Sequence, residues 1–200
     1  MMKKAILAAS VSLIAHSASA FYAGVNVGHL GGDIKTPHSA TGEVHHGMNN
    51  MLAGVSVGHG MPISKFLSVD VELGYGMNID GKHKTDKAND TTNEIKSTMY
   101  VDAHLHYHLS NAMSIYGLVG FGQSEVEFDY WDGSAKSAKN VDLRGLRFGA
   151  GFDAMISKKM SVYGQAVITN SEGKSISGLA NTVELKPLSN TASVGVRYTF

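Results

Sequence analysis

A period of two in side-chain polarity is the feature that most limits what this chain can fold into. Over residues 191–200, Ala192, Val194, Val196, Tyr198 and Phe200 fall on one side, with Thr191, Ser193, Gly195, Arg197 and Thr199 on the other. Successive side chains of a β-strand point to opposite faces, so this stretch is a strand with one apolar and one polar face. It keeps its apolar face to the final residue, where chains in water ordinarily fray. A strand with lipid on one side and a wet lumen on the other carries this pattern.

The alternation recurs upstream. Phe21, Ala23, Val25 and Val27 oppose Tyr22, Gly24, Asn26 and Gly28, and Met51, Ala53, Val55 and Val57 oppose Gly54, Ser56 and Gly58. Residues 67–77 set Leu67, Val69, Val71, Leu73, Tyr75 and Met77 against Ser68, Asp70, Glu72, Gly74 and Gly76. Residues 97–109 set Met99, Val101, Ala103, Leu105, Tyr107 and Leu109 against Tyr100, Asp102, His104, His106 and His108. A fifth strand follows from Ser114, a sixth from Leu143 and a short seventh from Met160. The fifth is the least regular, because Leu118 falls among the small residues and Gly117 among the apolar ones.

Three short turns (62–65, 110–112, 157–159) alternate with four long polar stretches, roughly 33–50, 78–96, 127–140 and 169–189. That alternation predicts an antiparallel up-and-down sheet, and eight strands suffice to close it into a barrel. Two closures compete: a soluble lipocalin-like barrel with its apolar face inward, and a membrane barrel with that face outward. The polar face decides between them. It carries Gly28, Gly54, Gly58, Gly74, Gly76, Gly120, Gly122, Gly149, Gly151 and Gly195. Water-facing surfaces are filled with charged side chains, not bare glycine, whereas a cramped lumen needs glycine beside Tyr22, Tyr100 and Tyr116. Phe21, Tyr75, Tyr107 and Phe200 lie near strand ends on the apolar face, where interfacial aromatic girdles form. The fold expected is all-β: an eight-stranded antiparallel up-and-down transmembrane β-barrel.

The N-terminus reads differently. Lys3 and Lys4, the apolar run 5–15 and Ala18-Ser19-Ala20 form the three regions of a secretory signal, so residues 1–20 are assigned to it and 21–200 to the barrel. The whole chain has 17 basic and 17 acidic residues, and loss of Lys3 and Lys4 leaves 15 against 17, a formal charge of −2. No basic excess points to nucleic acid. With no cysteine, disulfides and thiolate metal sites are excluded. The mean hydropathy of −0.06 is compatible with a barrel, because only every second residue meets lipid.

The eight strands, the ELGYGM and GAGFDAMI segments and the terminal Tyr-x-Phe resemble the small OmpA/OmpX-like and opacity-protein outer-membrane barrels of Gram-negative bacteria. The resemblance covers 21–200 and implies residence in the outer membrane amid lipid and lipopolysaccharide. It also implies insertion by the outer-membrane assembly machinery, with Tyr198 and Phe200 as the C-terminal signal. Family barrels place an inward carboxylate after glycine-spaced strand segments, and Glu72 and Asp153 occupy the matching positions. No wall-binding domain is expected after the barrel.

The expected lumen face holds Asp70, Glu72, Asp102, His104, His106, Arg147, Asp153 and Arg197. Isolated charges there are costly, so Arg147 and Arg197 should pair with the carboxylates in a structural network that plugs the lumen. The alternative is a narrow polar pore. His104-x-His106 share a face and offer divalent-metal ligands with Asp70 or Glu72, but spacing alone is weak. The reading preferred is polar filling hydrogen-bonded to carboxylates, with no metal and no cofactor. A third reading is a lipid A-modifying enzyme. His29 and His59 lie on the apolar face, only His29 approaches the outer rim, and no serine accompanies it there. The function expected is therefore non-enzymatic: a structural or surface-interacting barrel, of adhesin or surface-antigen type, that meets a host or surface ligand through four exposed loops. His38, His45, His46 and His83 lie in those loops, and the chain ends and short turns are expected in the periplasm.

Overall fold

Each apolar–polar alternation forms one strand of a single closed sheet. In the computed structural model, which describes residues 20–38, 42–81, 83–86, 91–131, 136–172, 174–176, 183–185 and 188–200, the strands are β1 (Ala20–His38), β2 (Gly42–Pro62), β3 (Leu67–Asn78), β4 (His83–Asp86), β5 (Thr91–His108), β6 (Met113–Trp131), β7 (Lys136–Met155), β8 (Met160–Ser171), β9 (Lys174–Ile176), β10 (Val183–Leu185) and β11 (Leu188–Thr199). Eight of them close the barrel, each antiparallel to its neighbours, in the cycle β1, β2, β3, β5, β6, β7, β8, β11. Val25 opposite Val196 and Gly24 opposite Arg197 mark the seam between the first and last strands. The small β4 adds to the edge of β5, and β9 pairs with β10 in a separate two-stranded sheet beside β1.

The three short connections are built alike, around a serine. Ser64 Oγ accepts from the amides of Phe66 (3.2 Å) and Leu67 (3.1 Å). Ser157 Oγ accepts from Lys159 (3.3 Å) and Met160 (3.1 Å), and Ser110 Oγ from Ala112 (3.2 Å). Such side-chain-to-backbone bonds replace the ladder where the chain reverses. All three turns, with both ends of the barrel chain, lie at one end of the molecule.

The outer surface at that level is apolar on every barrel strand. Val25, Val55, Val71, Leu105, Val119, Phe148, Ile168 and Val194 are all exposed, as are Tyr75, Tyr107, Phe121, Phe152 and Tyr198. Over the stretches 21–29, 51–61, 67–77, 99–107, 113–121, 146–154, 160–168 and 192–200, no outward-facing position carries Asp, Glu, Lys or Arg. A continuous apolar belt of this kind is a lipid-facing surface.

The stretches expected to be long polar loops are largely strand. β1 and β2 remain paired out to His38 opposite Gly42, and β6 and β7 out to Trp131 opposite Lys136. The physical reason is a change of solvent along one strand. Beyond the apolar belt the outer face meets water, so the polarity of the two faces inverts. Leu30, Leu52, Ile95, Val126, Val141 and Leu143 turn inward and form a buried apolar cluster, while Asn49, Asn140 and Arg144 face out. A bulge between Ile95 and Ser97 performs the inversion on β5, shifting the register so that Ile95 faces Val126 inside. Bulges re-aim side chains in this way. The alternation continues, but its sign does not, and so it reads as loop.

Candidate functional site

The middle of the lumen is packed with aromatic and charged side chains. Tyr22, Tyr100 and Tyr116 each lie over the glycine directly opposite on the neighbouring strand: Tyr22 over Gly58, Tyr100 over Gly74 and Tyr116 over Gly151. A Cβ at any of the three glycines would collide with the ring. Gly195 leaves room in the same way for Tyr163. The glycines therefore set where the rings lie, and the rings set where the charges lie.

Glu72, with no exposed surface, is the centre of the charge arrangement. Its Oε2 accepts from Arg197 Nη2 at 2.9 Å and from the Tyr22 hydroxyl at 3.1 Å, and its Oε1 from the Tyr100 hydroxyl at 3.1 Å. Arg197 Nη1 also reaches Asp153 Oδ2 at 3.3 Å, and that oxygen accepts from Ser161 Oγ at 3.0 Å. The Arg197 guanidinium lies 4.0 Å from the Tyr163 ring centre and 5.0 Å from that of Tyr22. Arg147 forms a separate two-pronged pair with Asp102, Nε to Oδ1 at 2.9 Å and Nη2 to Oδ2 at 3.1 Å, and packs 4.2 Å from the Tyr100 ring centre. Bidentate charge-assisted pairs are the strong form of this interaction.

Below this layer, towards the short-turn end, Asp70, His104 and His106 come together. His106 Nδ1 is 3.2 Å from Ser114 Oγ, and its Nε2 is 3.2 Å from Asp70 Oδ2. The His104 ring stacks on Tyr116, with ring centres 5.1 Å apart. His104 is 1% exposed, yet neither of its ring nitrogens has a hydrogen-bond partner. Potential ligand atoms of the three residues lie within 4.8 Å of one another. His106 thus stands at ion-pair distance from a carboxylate, whereas His104 meets none. His108 stands apart, bound to Ser68 Oγ at 3.1 Å.

Two cavities flank the arginine layer. A small one, of about 40 Å³, includes Asn26, Tyr100, Arg147, Gln165 and Ser193 on its wall. A larger one, of about 390 Å³, is the mouth at the short-turn end and is lined by Asp70, His106, Ser114, Asp153 and Arg197. At the other end the apolar cluster lies above the small cavity. All eight polar residues expected in the lumen therefore face it: Asp102 with Arg147, Glu72 and Asp153 with Arg197, and Asp70 with His104 and His106. The sequence pattern puts Tyr163 and Gln165 on the polar face of the seventh strand without giving them a role, and it does not mark the six apolar side chains of the upper cluster as core. Extending the period of two through Val141 and Leu143 was the signal available for the latter. Tyr198 and Phe200 face outward, their rings 5.3 Å apart edge to face. His29 also faces out and is bonded to Asn49. The side chains of His38, His45, His46, His83 and Trp131 lie outside the described residues, as do residues 1–19.

An apolar belt around a closed antiparallel sheet, with its polar face turned into a packed lumen, defines a transmembrane β-barrel. The chain belongs to the outer membrane protein beta-barrel domain family, whose model matches residues 5–200, and its place is the outer membrane. Its fold is shared with Neisserial surface protein A (14% identity, TM-score 0.55, covering 90% of this chain and 97% of that one). It is also shared with a major outer membrane protein of Thermus thermophilus (11%, 0.58, 92% and 100%). A third likeness is to Ail, the attachment invasion locus protein of Yersinia pestis, solved with the heparin analogue sucrose octasulfate (14%, 0.53, 90% and 99%). No curated protein matches the sequence.

Proposed function

We propose that this barrel is a non-enzymatic membrane scaffold that holds a rigid strand crown outside the cell for contact with surface ligands. The observation that carries this reading is the inversion of face polarity: above the lipid belt the barrel continues as a water-soluble β-structure with its own apolar core. β6 and β7, for example, stay paired out to Trp131 opposite Lys136, beyond the apolar belt. Binding surfaces on rigid scaffolds sit on such projections. Ail, a barrel of the same fold, has been solved with a sulfated heparin analogue, and polyanionic surface glycans of that kind are one class of ligand for the crown.

In this reading residues 1–20 direct export, Tyr198 and Phe200 are read by the assembly machinery, and the belt contacts lipid and lipopolysaccharide. The ion-paired layer and the apolar cluster speak for a plug rather than a pore. His29 is paired with Asn49 and stands opposite Ala192 and Met51, and this reading gives it no part in lipid A chemistry.

The chain has no cysteine, which makes the test direct. Single cysteines at Asp80 and Asn140, at the crown end, should react with a membrane-impermeant maleimide on intact cells, whereas cysteines at Asn111 and Lys158, in the short turns, should react only after lysis. The reverse pattern would put the crown in the periplasm and end the surface-contact reading. Retention of heparin-bead binding after residues 83–93 and 129–136 are replaced by Gly-Ser linkers would exclude the crown as the binding element.

A further inference from the structure

We propose that Asp70, His104 and His106 form a binding site for one divalent transition-metal ion, of the zinc type, reached through the lumen mouth at the short-turn end. Three independent observations converge on it. The first is geometric: three side chains of the types that bind zinc bring ligand atoms within 4.8 Å of one another. A tetrahedral ion held about 2.0–2.2 Å from each sets ligand atoms about 3.4 Å apart, so binding requires the three side chains to draw together.

The second is the state of the ring nitrogens. Both nitrogens of the buried His104 are without a hydrogen-bond partner, and His106 Nε2 has the Asp70 carboxylate as its neighbour, 3.2 Å away. Buried polar groups are ordinarily paired, and each orphan calls for an explanation. A metal ion accepts the lone pairs that no donor here meets. The support around the site is of the kind that orients metal ligands. Ser114 Oγ engages His106 Nδ1 and so turns Nε2 towards Asp70. Tyr116 stacks on His104 and fixes the ring plane, and the Asp70 carboxylate lies across the bare Cα of Gly60.

The third is charge. The membrane-level lumen holds four carboxylates (Asp70, Glu72, Asp102, Asp153) and two guanidinium groups (Arg147, Arg197). Glu72, Asp102 and Asp153 share the two arginines, whereas Asp70 has no arginine at ion-pair distance among the described residues. Lys159 lines the rim of the mouth, with its ammonium 5.6 Å from the centre of the outward-facing Tyr198 ring. With both imidazoles neutral, as metal ligands must be, four negative charges against two positive leave a deficit of two, which one divalent ion cancels beside the carboxylate whose ion-pair partner is a histidine rather than an arginine. Two imidazoles and a carboxylate suit zinc and its neighbours rather than magnesium or calcium. The mouth, about 390 Å³ and lined by Asp70 and His106, gives entry and supplies water as a fourth ligand.

The test is zinc titration calorimetry on the full barrel refolded in detergent micelles, with the cobalt(II) visible spectrum as a second readout. One ion should bind per chain. Asp70→Asn, His104→Gln and His106→Gln should each weaken binding at least about ten-fold and remove the tetrahedral cobalt bands. His108→Gln and the combined His38, His45, His46 and His83→Gln variant should bind as the parent does. Absence of binding by the parent at millimolar zinc would overturn the proposal, as would loss of binding in the loop-histidine variant with retention in His104→Gln. If a lumen variant does not fold, judged by heat-modifiable gel mobility, ring NMR of the histidine-labelled parent decides. Zinc shifts at His104 and His106 uphold the site, and shifts confined to other histidines overturn it.

Discussion

Arg197 and Glu72 meet at 2.9 Å across the lumen, although 125 positions separate them in the chain and β1 and β2 stand between their strands. The pair does not follow a strand ladder. It spans the interior, and it forms only once β11 has closed against β1. Because Glu72 is wholly buried and Arg197 nearly so, the charges have no water to fall back on if one is removed.

Removing a single partner should therefore be costly. Arg197→Met or Glu72→Gln is expected to destabilise the barrel by about 3–5 kcal/mol, the range for an orphaned buried charge, and the double variant by less than the sum of the two. Reversible urea unfolding in lipid vesicles, followed by intrinsic fluorescence, measures all three. An additive double variant would show that the pair is not coupled.

The glycines beneath the tyrosines give a second expectation. Gly74→Ala places a Cβ inside the Tyr100 ring and Gly58→Ala inside that of Tyr22, and overpacking of this kind costs about 1–3 kcal/mol. Gly117→Ala, on the outer face with its nearest obstacle 4.0 Å away, should be neutral or slightly stabilising. Replacing Tyr100 by Leu in the Gly74→Ala background should restore part of the loss. The same unfolding assay separates these outcomes.

How much of this was legible in the sequence depended on the solvent at each level. Within the lipid belt, the alternation at 67–77 or 146–154 gave strand, facing and neighbour without ambiguity, because lipid outside and charge inside impose opposite side-chain types. The lumen residues were legible for the same reason. Their pairing was not: that Arg147 takes Asp102 while Arg197 takes Glu72 and Asp153 depends on the stagger of strands around the barrel, which no local pattern encodes. Above the belt, Val141 and Leu143 alternate with Asn140, Asp142 and Arg144 just as regularly, but with apolar residues inward. The same pattern with its sign reversed reads as polar loop, and the inversion at Lys96 depends on a bulge.

That reversal can be mapped. Lysine at an outward position in the belt, such as Phe148→Lys, is expected to cost about 2–4 kcal/mol, because it sets a charge in hydrocarbon. Lysine at Asn140, outward but above the belt, should change stability by less than about 0.5 kcal/mol. A lysine scan along the outward positions of β7, read by urea unfolding in vesicles, should fall steeply between these two residues. A flat profile would mean that the lipid boundary lies elsewhere.

The closed lumen is tested most directly by current. Pure barrel inserted in a planar bilayer should give no reproducible conductance steps, because the apolar cluster of Leu30, Leu52, Ile95, Val126, Val141 and Leu143 and the Arg147 and Arg197 pairs leave no continuous water path. Uniform, ion-selective steps from the unmodified protein, unchanged by further purification, would contradict it.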